Sequence, residues 1–146
     1  MKKFSVDLSV TPITPQGFKI IKDTIGEIVE LDFSKLDLFI TEKQTSGLCI
    51  NSSDLKKEMR GRPVAGANLA DFFLANPKFV PRKFNHNYLI FYGTIFEDAH
   101  GQRCFKCIYR RAHEEWTETY VWCNSLLHPD DLVVGFVDGV FTAKAA

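Results

Sequence analysis

The chain has 146 residues, 45% apolar and 25% charged, and its 18 Lys and Arg balance its 18 Asp and Glu. Its 13 Phe, 4 Tyr and 2 Trp exclude a disordered chain, which lacks the aromatic surface to build a core. Its 9 Gly and 6 Pro exclude a collagen-like one, and no apolar run approaches the roughly 20 residues that span a bilayer, so no membrane partner is expected.

Phe4, Val6, Leu8 and Val10 alternate with Ser5, Asp7 and Ser9, the pattern of a half-buried strand. Asp7 also interrupts the apolar run that a signal peptide opening Met1-Lys2-Lys3 requires. No secretion signal is read, so a cytoplasmic location is expected, with Cys49, Cys104, Cys107 and Cys123 as free thiols. Thr14 and Pro15 read as an N-cap and a first-turn proline. Phe18, Ile21, Ile25, Ile28 and Val29 then recur at helical spacing, with Lys19, Lys22, Asp23 and Glu27 on the other face. This predicts a helix over 16–30, which Gly26 weakens by about 1 kcal/mol relative to Ala. Leu36, Leu38 and Ile40 predict a second strand, residues 44–47 a turn, and 48–50 a short hairpin strand. Ser52 or Ser53 is expected to cap a short helix carrying Leu55 and Met59, ended by Gly61-Arg62-Pro63.

Asn68 reads as the N-cap of a helix through Ala75 with Leu69, Phe72 and Phe73 on one face, closed by Asn76-Pro77. Phe79, Val80 and Phe84 around Pro81 predict a packed apolar turn. Residues 88–97, 103–111 and 116–123 read as three strands joined by turns at 98–101 and 112–115. Strands adjacent in sequence pair through such short turns, which predicts an antiparallel meander. Residues 128–131 suggest a helical turn, 132–137 either that helix or a final strand, and 143–146 a frayed tail. The expected fold is α+β, with an antiparallel meander of at least three strands in the C-terminal half packed with one or more helices. One domain over 1–146 is expected. If it divides, the break falls at 60–66, between an N-terminal 1–60 segment and a helix-plus-meander module over 67–141.

The run Asn68-Leu69-Ala70-Asp71-Phe72-Phe73-Leu74-Ala75-Asn76-Pro77, then Phe79-Val80-Pro81, resembles the opening of a module found in uncharacterised bacterial and bacteriophage-associated proteins. Phe91-Tyr92-Gly93-Thr94-Ile95-Phe96-Glu97-Asp98, Gly101, Cys107-Ile108-Tyr109, Trp116 and Tyr120-Val121-Trp122 resemble its continuation. The likeness covers residues 68–122. It departs from the pattern at Cys123-Asn124-Ser125-Leu126-Leu127-His128, and residues 1–60 match no family. The resemblance implies a helix and aromatic strands, with no activity and no site residue attached.

Charge is segregated although it sums to zero. Residues 1–55 carry 6 basic and 8 acidic groups, 56–111 carry 11 and 4, and 112–146 carry 1 and 6. The basic middle either packs beside the acidic tail or forms an electropositive face. Lys56, Lys57, Arg60 and Arg62 cluster, and Arg103, Lys106, Arg110 and Arg111 line the second meander strand. Tyr92, Phe105, Tyr109, Trp116, Tyr120 and Trp122 offer stacking surfaces, and cations with aromatics on a sheet bind single-stranded nucleic acid. Alternation limits this, because Phe105, Cys107 and Tyr109 share a face with Arg103 and Arg111, while Lys106, Ile108 and Arg110 take the other. The aromatics read more simply as a core face under the helix at 69–74.

Cys104-x-x-Cys107 lies within a strand, where positions i and i+3 point to opposite faces, so neither a zinc knuckle nor a redox pair is expected. One of these thiols is expected to be buried and the other to lie at an edge. Cys49, Cys107 and Cys123 with His86, His100, His113 and His128 supply the parts of a nucleophilic site, but none sits in a recognisable nucleophile motif. No catalytic residue, metal or cofactor is therefore assigned. The leading expectation is a non-catalytic binding or protein-interaction module of a bacterial or phage cytoplasmic protein, with exposed Trp, Tyr and Arg as anchors and a protein as its partner. A nucleic-acid-binding protein using clusters 56–62 and 103–111 is second, and a small Cys/His-dependent enzyme is third.

Overall fold

The computed structural model describes residues 3–25, 28–111, 114–136 and 144–145. The elements run β1 (Lys3–Asp7), β2 (Lys19–Ile25), β3 (Ile28–Asp32), β4 (Leu36–Phe39), α1 (Glu42–Thr45), α2 (Ser52–Met59), α3 (Ala67–Ala75), β5 (Tyr88–Glu97), β6 (Arg103–Tyr109), β7 (Thr117–Trp122), β8 (Asp131–Phe136) and β9 (Lys144–Ala145). The fold is α+β, as expected. β5, β6 and β7 form the expected antiparallel meander. The sheet as a whole is mixed, which corrects the purely antiparallel expectation. β8 runs parallel to β5 through Tyr88↔Asp131, Leu89↔Leu132 and Ile90↔Val133, and antiparallel to β4. Leu132, Val133, Val134 and Phe136 are all buried, the continuous apolar run of a strand covered on both faces.

Both faces of the sheet carry a helix. α3 packs its Leu69, Ala70 and Phe73 against Leu89, Phe91, Ile108, Val134 and Phe136. α2 packs Leu55 and Met59 with Ile50, Ile90, Phe105, Cys107, Leu127 and Val133 on the other side. Odd and even positions of β5, β6 and β8 therefore feed different cores. The expectation that the α3 helix covers Phe105 and Cys107 is corrected, because those residues face α2 and α3 faces Lys106 and Ile108.

The helix expected over 16–30 is two strands within the described residues, with Gly26 and Glu27 outside them. Phe18 N–H donates to the Pro15 carbonyl across a turn in which Gly17 has φ 83°, so Pro15 begins a turn instead of a helix. β2 then pairs with the second half of β5, Ile20 opposite Phe96 and Lys22 opposite Ile95, with a register shift between them. Pairing satisfies this backbone without a helix, and Ile20 and Thr24 are β-branched residues that suit it. Phe18 and Ile20 pack on Phe96 and Cys104, while Ile21, expected on the apolar face, is 38% exposed.

Smaller corrections have local causes. The turn expected at 44–47 is present, closed by Gly47 N–H to the Gln44 carbonyl, but one helical turn over 42–45 leads into it, because Thr41 and Gln44 make a reciprocal capping box. Of 48–50, only Ile50 pairs, bridging Leu127. The N-cap of α2 is Asn51, whose side chain accepts from Asp54 N–H. The N-cap of α3 is Gly66 and not Asn68. The Thr94 hydroxyl accepts the Ala67 N–H at 2.8 Å and donates to Asp23 at 2.6 Å. Asn68 accepts from Leu69 N–H and donates to the Leu8 carbonyl. Residues 128–131 form a turn leading into β8, not a helix. Of the turn expected at 112–115, Ala112 and His113 lie outside the described residues, and Glu114 N–H donates to the Arg111 carbonyl. The tail expected to fray at 143–146 is corrected where it is described, since Lys144 and Ala145 pair with Ile25 and Thr24 of β2. No helix among the described residues is long and apolar enough to cross a membrane.

The segment expected to mark a division is stitched to the sheet. Ala65 N–H donates to Val134, the Ala65 carbonyl accepts from Gly93 N–H, and Phe136 N–H donates to Pro63. This strap crosses where β8 leaves β5 and β2 joins it, and it shapes the cleft described next.

Candidate functional site

A cleft of about 1010 Å³ opens beside the strap, between α2 and strands β2, β5 and β6. Lys22, Lys56, Arg60, Arg62 and Arg103 line it, and no carboxylate does among the described residues. All five cations are exposed. Lys56 lies on α2, and Arg60, four positions on, is the C-cap of that helix. The chain leaves that helix at Arg60 and turns at Gly61, where φ is +76°, and Arg62 follows at the rim. Arg62 lies over the Phe39 ring at 5.2 Å. Arg103 begins β6, and its Nε is 3.8 Å from Glu97, which also pairs with Lys19. One rim carboxylate thus offsets part of the positive field at that end.

Tyr92 and Phe105 form the aromatic part of the wall, with ring centroids 4.9 Å apart. Phe105 is buried, and Tyr92 is half-buried. Burial holds the Tyr92 phenol above its usual range, so near neutral pH it is an uncharged donor. Cys123 also lines the cleft. Burial pushes its thiol up, and the nearby Arg103 charge pulls the other way.

The structure brings part of the expected basic set together and separates the rest. Lys56, Arg60, Arg62 and Arg103 meet in the cleft. Lys57 lies instead with Glu42, Lys43, Asp54 and Glu58 over a mixed-charge hollow, where Lys43 pairs with Asp54 at 2.8 Å. Arg110 and Arg111 follow the far end of β6, roughly 23 Å along the strand from Arg103. Lys106 is withdrawn from solvent altogether. Its ammonium donates to Asp71 at 2.6 Å and lies 3.1 Å from Glu118, so it is a buried ion pair and not a phosphate contact. Lys22 was missed because its segment read as a helix. The signal was the β-branched run beside it, Ile20 and Ile21, which suits a strand.

The aromatics do not form one platform. Tyr120 and Trp122 pack on Phe18 and Phe96 on the α3 side, Tyr109 stacks on Tyr88, and Trp116 packs on the α3 core. Cys104 and Cys107 are buried in different cores, as opposite faces require. Neither is at an edge, which corrects that expectation, and burial pushes both thiols up to about 12. His86 and His100 are exposed, and His113 lies outside the described residues. Cys49 sits 3.4 Å from His128. Among the described residues no three His, Cys, Asp or Glu side chains gather in a metal-holding group.

No family model matches the chain, and neither a curated protein nor a solved structure matches it.

Proposed function

We propose that the chain is a non-catalytic binding module whose ligand is single-stranded nucleic acid, held in the cleft between α2 and the sheet. One observation carries this reading. Five exposed cations converge on a concave wall with an aromatic component and, among the described residues, no lining carboxylate. Such a groove neutralises phosphates, and its aromatic wall accepts a base face without demanding a particular base. The cleft is a local feature of one face, which suits a flexible strand that can bend into it better than a straight duplex. The resemblance of residues 68–122 supports a bacterial or phage setting, and the cytoplasm is where such a ligand is met by a free-thiol protein.

The test is fluorescence anisotropy with a labelled oligothymidylate across a salt series. Binding is expected to weaken as salt rises, with a log–log slope near −0.7 per phosphate neutralised. Arg60→Ala with Arg62→Ala is expected to weaken binding and to flatten that slope by about 1.4, two contacts' worth. Arg110→Ala with Arg111→Ala, outside the cleft, is expected to leave the slope unchanged. Equal affinity for the Arg60/Arg62 double variant and the parent chain would end this reading and return the cleft to an acidic protein partner.

A further inference from the structure

Cys49 and His128 are separated by 79 positions in sequence, yet Cys49 Sγ and His128 Nδ1 lie 3.4 Å apart. The fold places them with care. Ile50 and Leu127 exchange two backbone hydrogen bonds, of 2.9 and 3.0 Å. In an antiparallel bridge the next residues outward face one another, and those residues are Cys49 and His128.

The His128 backbone is fixed from two further sides. Its N–H donates to the Asp131 carboxylate at 2.8 Å. Its carbonyl accepts from the Gln44 side chain at 3.0 Å, and the same amide donates to the Asp131 carbonyl at 2.7 Å. Gln44 is itself buried and locked to Thr41. The pair is nonetheless open to solvent, since His128 is exposed and Cys49 half-exposed. The other three thiols differ. Cys104 and Cys107 are buried on opposite faces, and Cys123 lies in the cleft wall, which no imidazole lines among the described residues.

We infer that Cys49 and His128 form a reactive thiol–imidazole pair, a site of covalent oxidation by small hydroperoxides. With the imidazole proton on Nε2, Nδ1 stands 3.4 Å from the sulfur as the acceptor of the Cys49 proton while the sulfur attacks. A thiolate is the nucleophilic form of cysteine, and an adjacent base is the usual means of producing it. The sulfur attacks one peroxide oxygen. An S–O bond forms as the O–O bond breaks, and the departing oxygen takes the proton from His128. The thiol is oxidised to a sulfenic acid and the hydroperoxide is reduced to water or an alcohol, with atoms and electrons balanced. This site is independent of the proposed nucleic-acid cleft.

The test treats the full folded chain with sub-stoichiometric hydrogen peroxide and dimedone, followed by peptide mapping. Cys49 is expected to capture dimedone at least about tenfold faster than Cys123, with no capture at Cys104 or Cys107 until the chain is unfolded. His128→Gln keeps Cys49 exposed but removes the base, and is expected to slow Cys49 capture about tenfold or more. Since His128 is a surface residue, that variant is expected to fold. Cys49→Ser serves as the second variant and is expected to abolish the main adduct. Capture at Cys123 before Cys49 would overturn the inference. So would an unchanged Cys49 rate in His128→Gln, because exposure alone would then account for it.

Discussion

Asp71→Ala is expected to lower the unfolding free energy by about 3–5 kcal/mol, the cost of stripping a buried charge of its partner. Lys106 is fully buried in the middle of β6, and Asp71 on α3 is its nearest carboxylate. Glu118 on β7 also reaches the ammonium, but its side chain is 46% exposed, so water competes for it. The Lys106 ammonium lies 5.8 Å from the Tyr120 ring centre. Asp71 does a second job by accepting the Ile13 N–H at 2.8 Å, which ties the segment after β1 to the helix. The variant therefore loosens both α3 and the N-terminal arm. Glu118→Ala, removing only the exposed partner, is expected to cost less than about 1 kcal/mol. Replacing both ends, as in Asp71→Leu with Lys106→Met, is expected to recover most of the loss, since a buried ion pair often contributes little beyond an apolar pair of similar size. Urea midpoints at pH 7 for the three variants measure this. An Asp71→Ala loss below 1 kcal/mol would mean that Glu118 alone carries the pair.

The same pair sets a pH dependence. Burial pulls the Lys106 pKa down, but the Asp71 hydrogen bond and charge, with Tyr120 and Glu118, outweigh it and hold it above the usual range. A group whose folded pKa is raised contributes stability that is present below its unfolded pKa, near 10.4 for lysine, and is lost as pH climbs through the folded value. Burial also raises Tyr120, Cys104 and Cys107, and each acts in the same direction. Stability is thus expected to fall on the alkaline side, beginning near the unfolded thiol value of about 8.5. Thermal unfolding from pH 7 to 10 checks this. Cys107→Ala is expected to soften the decline, whereas a flat profile in the parent chain would contradict the buried placement of these groups.

Gly93→Ala is expected to cost about 2–3 kcal/mol, seen as a fall in Tm of about 4–10 °C for a domain of this size. A Cβ at Gly93 would sit 2.9 Å from the Ala65 carbonyl oxygen and 3.0 Å from the Gly66 nitrogen. Both are backbone atoms, and neither is free to retreat. Ala65 is bonded to Val134 and Gly93, and Gly66 begins α3. The strap must therefore lift from the sheet or β5 must bend. Either movement displaces the cleft wall at Val64 and Tyr92, so oligonucleotide binding is expected to weaken together with stability. A normal Tm would mean that the strap does not press on β5.

Much of the C-terminal half was legible because its signals are local and strong. The limits of β5 follow from an apolar run bounded by turn residues. β6 and β7 follow from alternation between two short turns, and α3 from Leu69, Phe72 and Phe73 ahead of Asn76-Pro77. The strap was invisible, since the hydrogen bonds of Ala65 depend on which strands lie beside it and not on its own side chain. The candidate cleft was half legible. Arg60 and Arg62 announced themselves by clustering, but their meeting with Arg103 depends on α2 lying across β6.

Local pattern alone therefore established the α+β class, the meander, the free placement of Cys104 and Cys107 on opposite faces, and the basic middle of the chain. Tertiary pairing settled what lies on each face. Residues 18–29 fit a helix by spacing, yet β5 offered a second-half edge that β2 could satisfy. Lys106 reads as a surface cation from sequence, yet Asp71 arrives from a helix 35 positions away and makes its burial tolerable. Helical spacing and strand alternation are properties of a short window. Which edge is vacant, and which charge finds a partner, depends on distant segments that only the closed fold brings together.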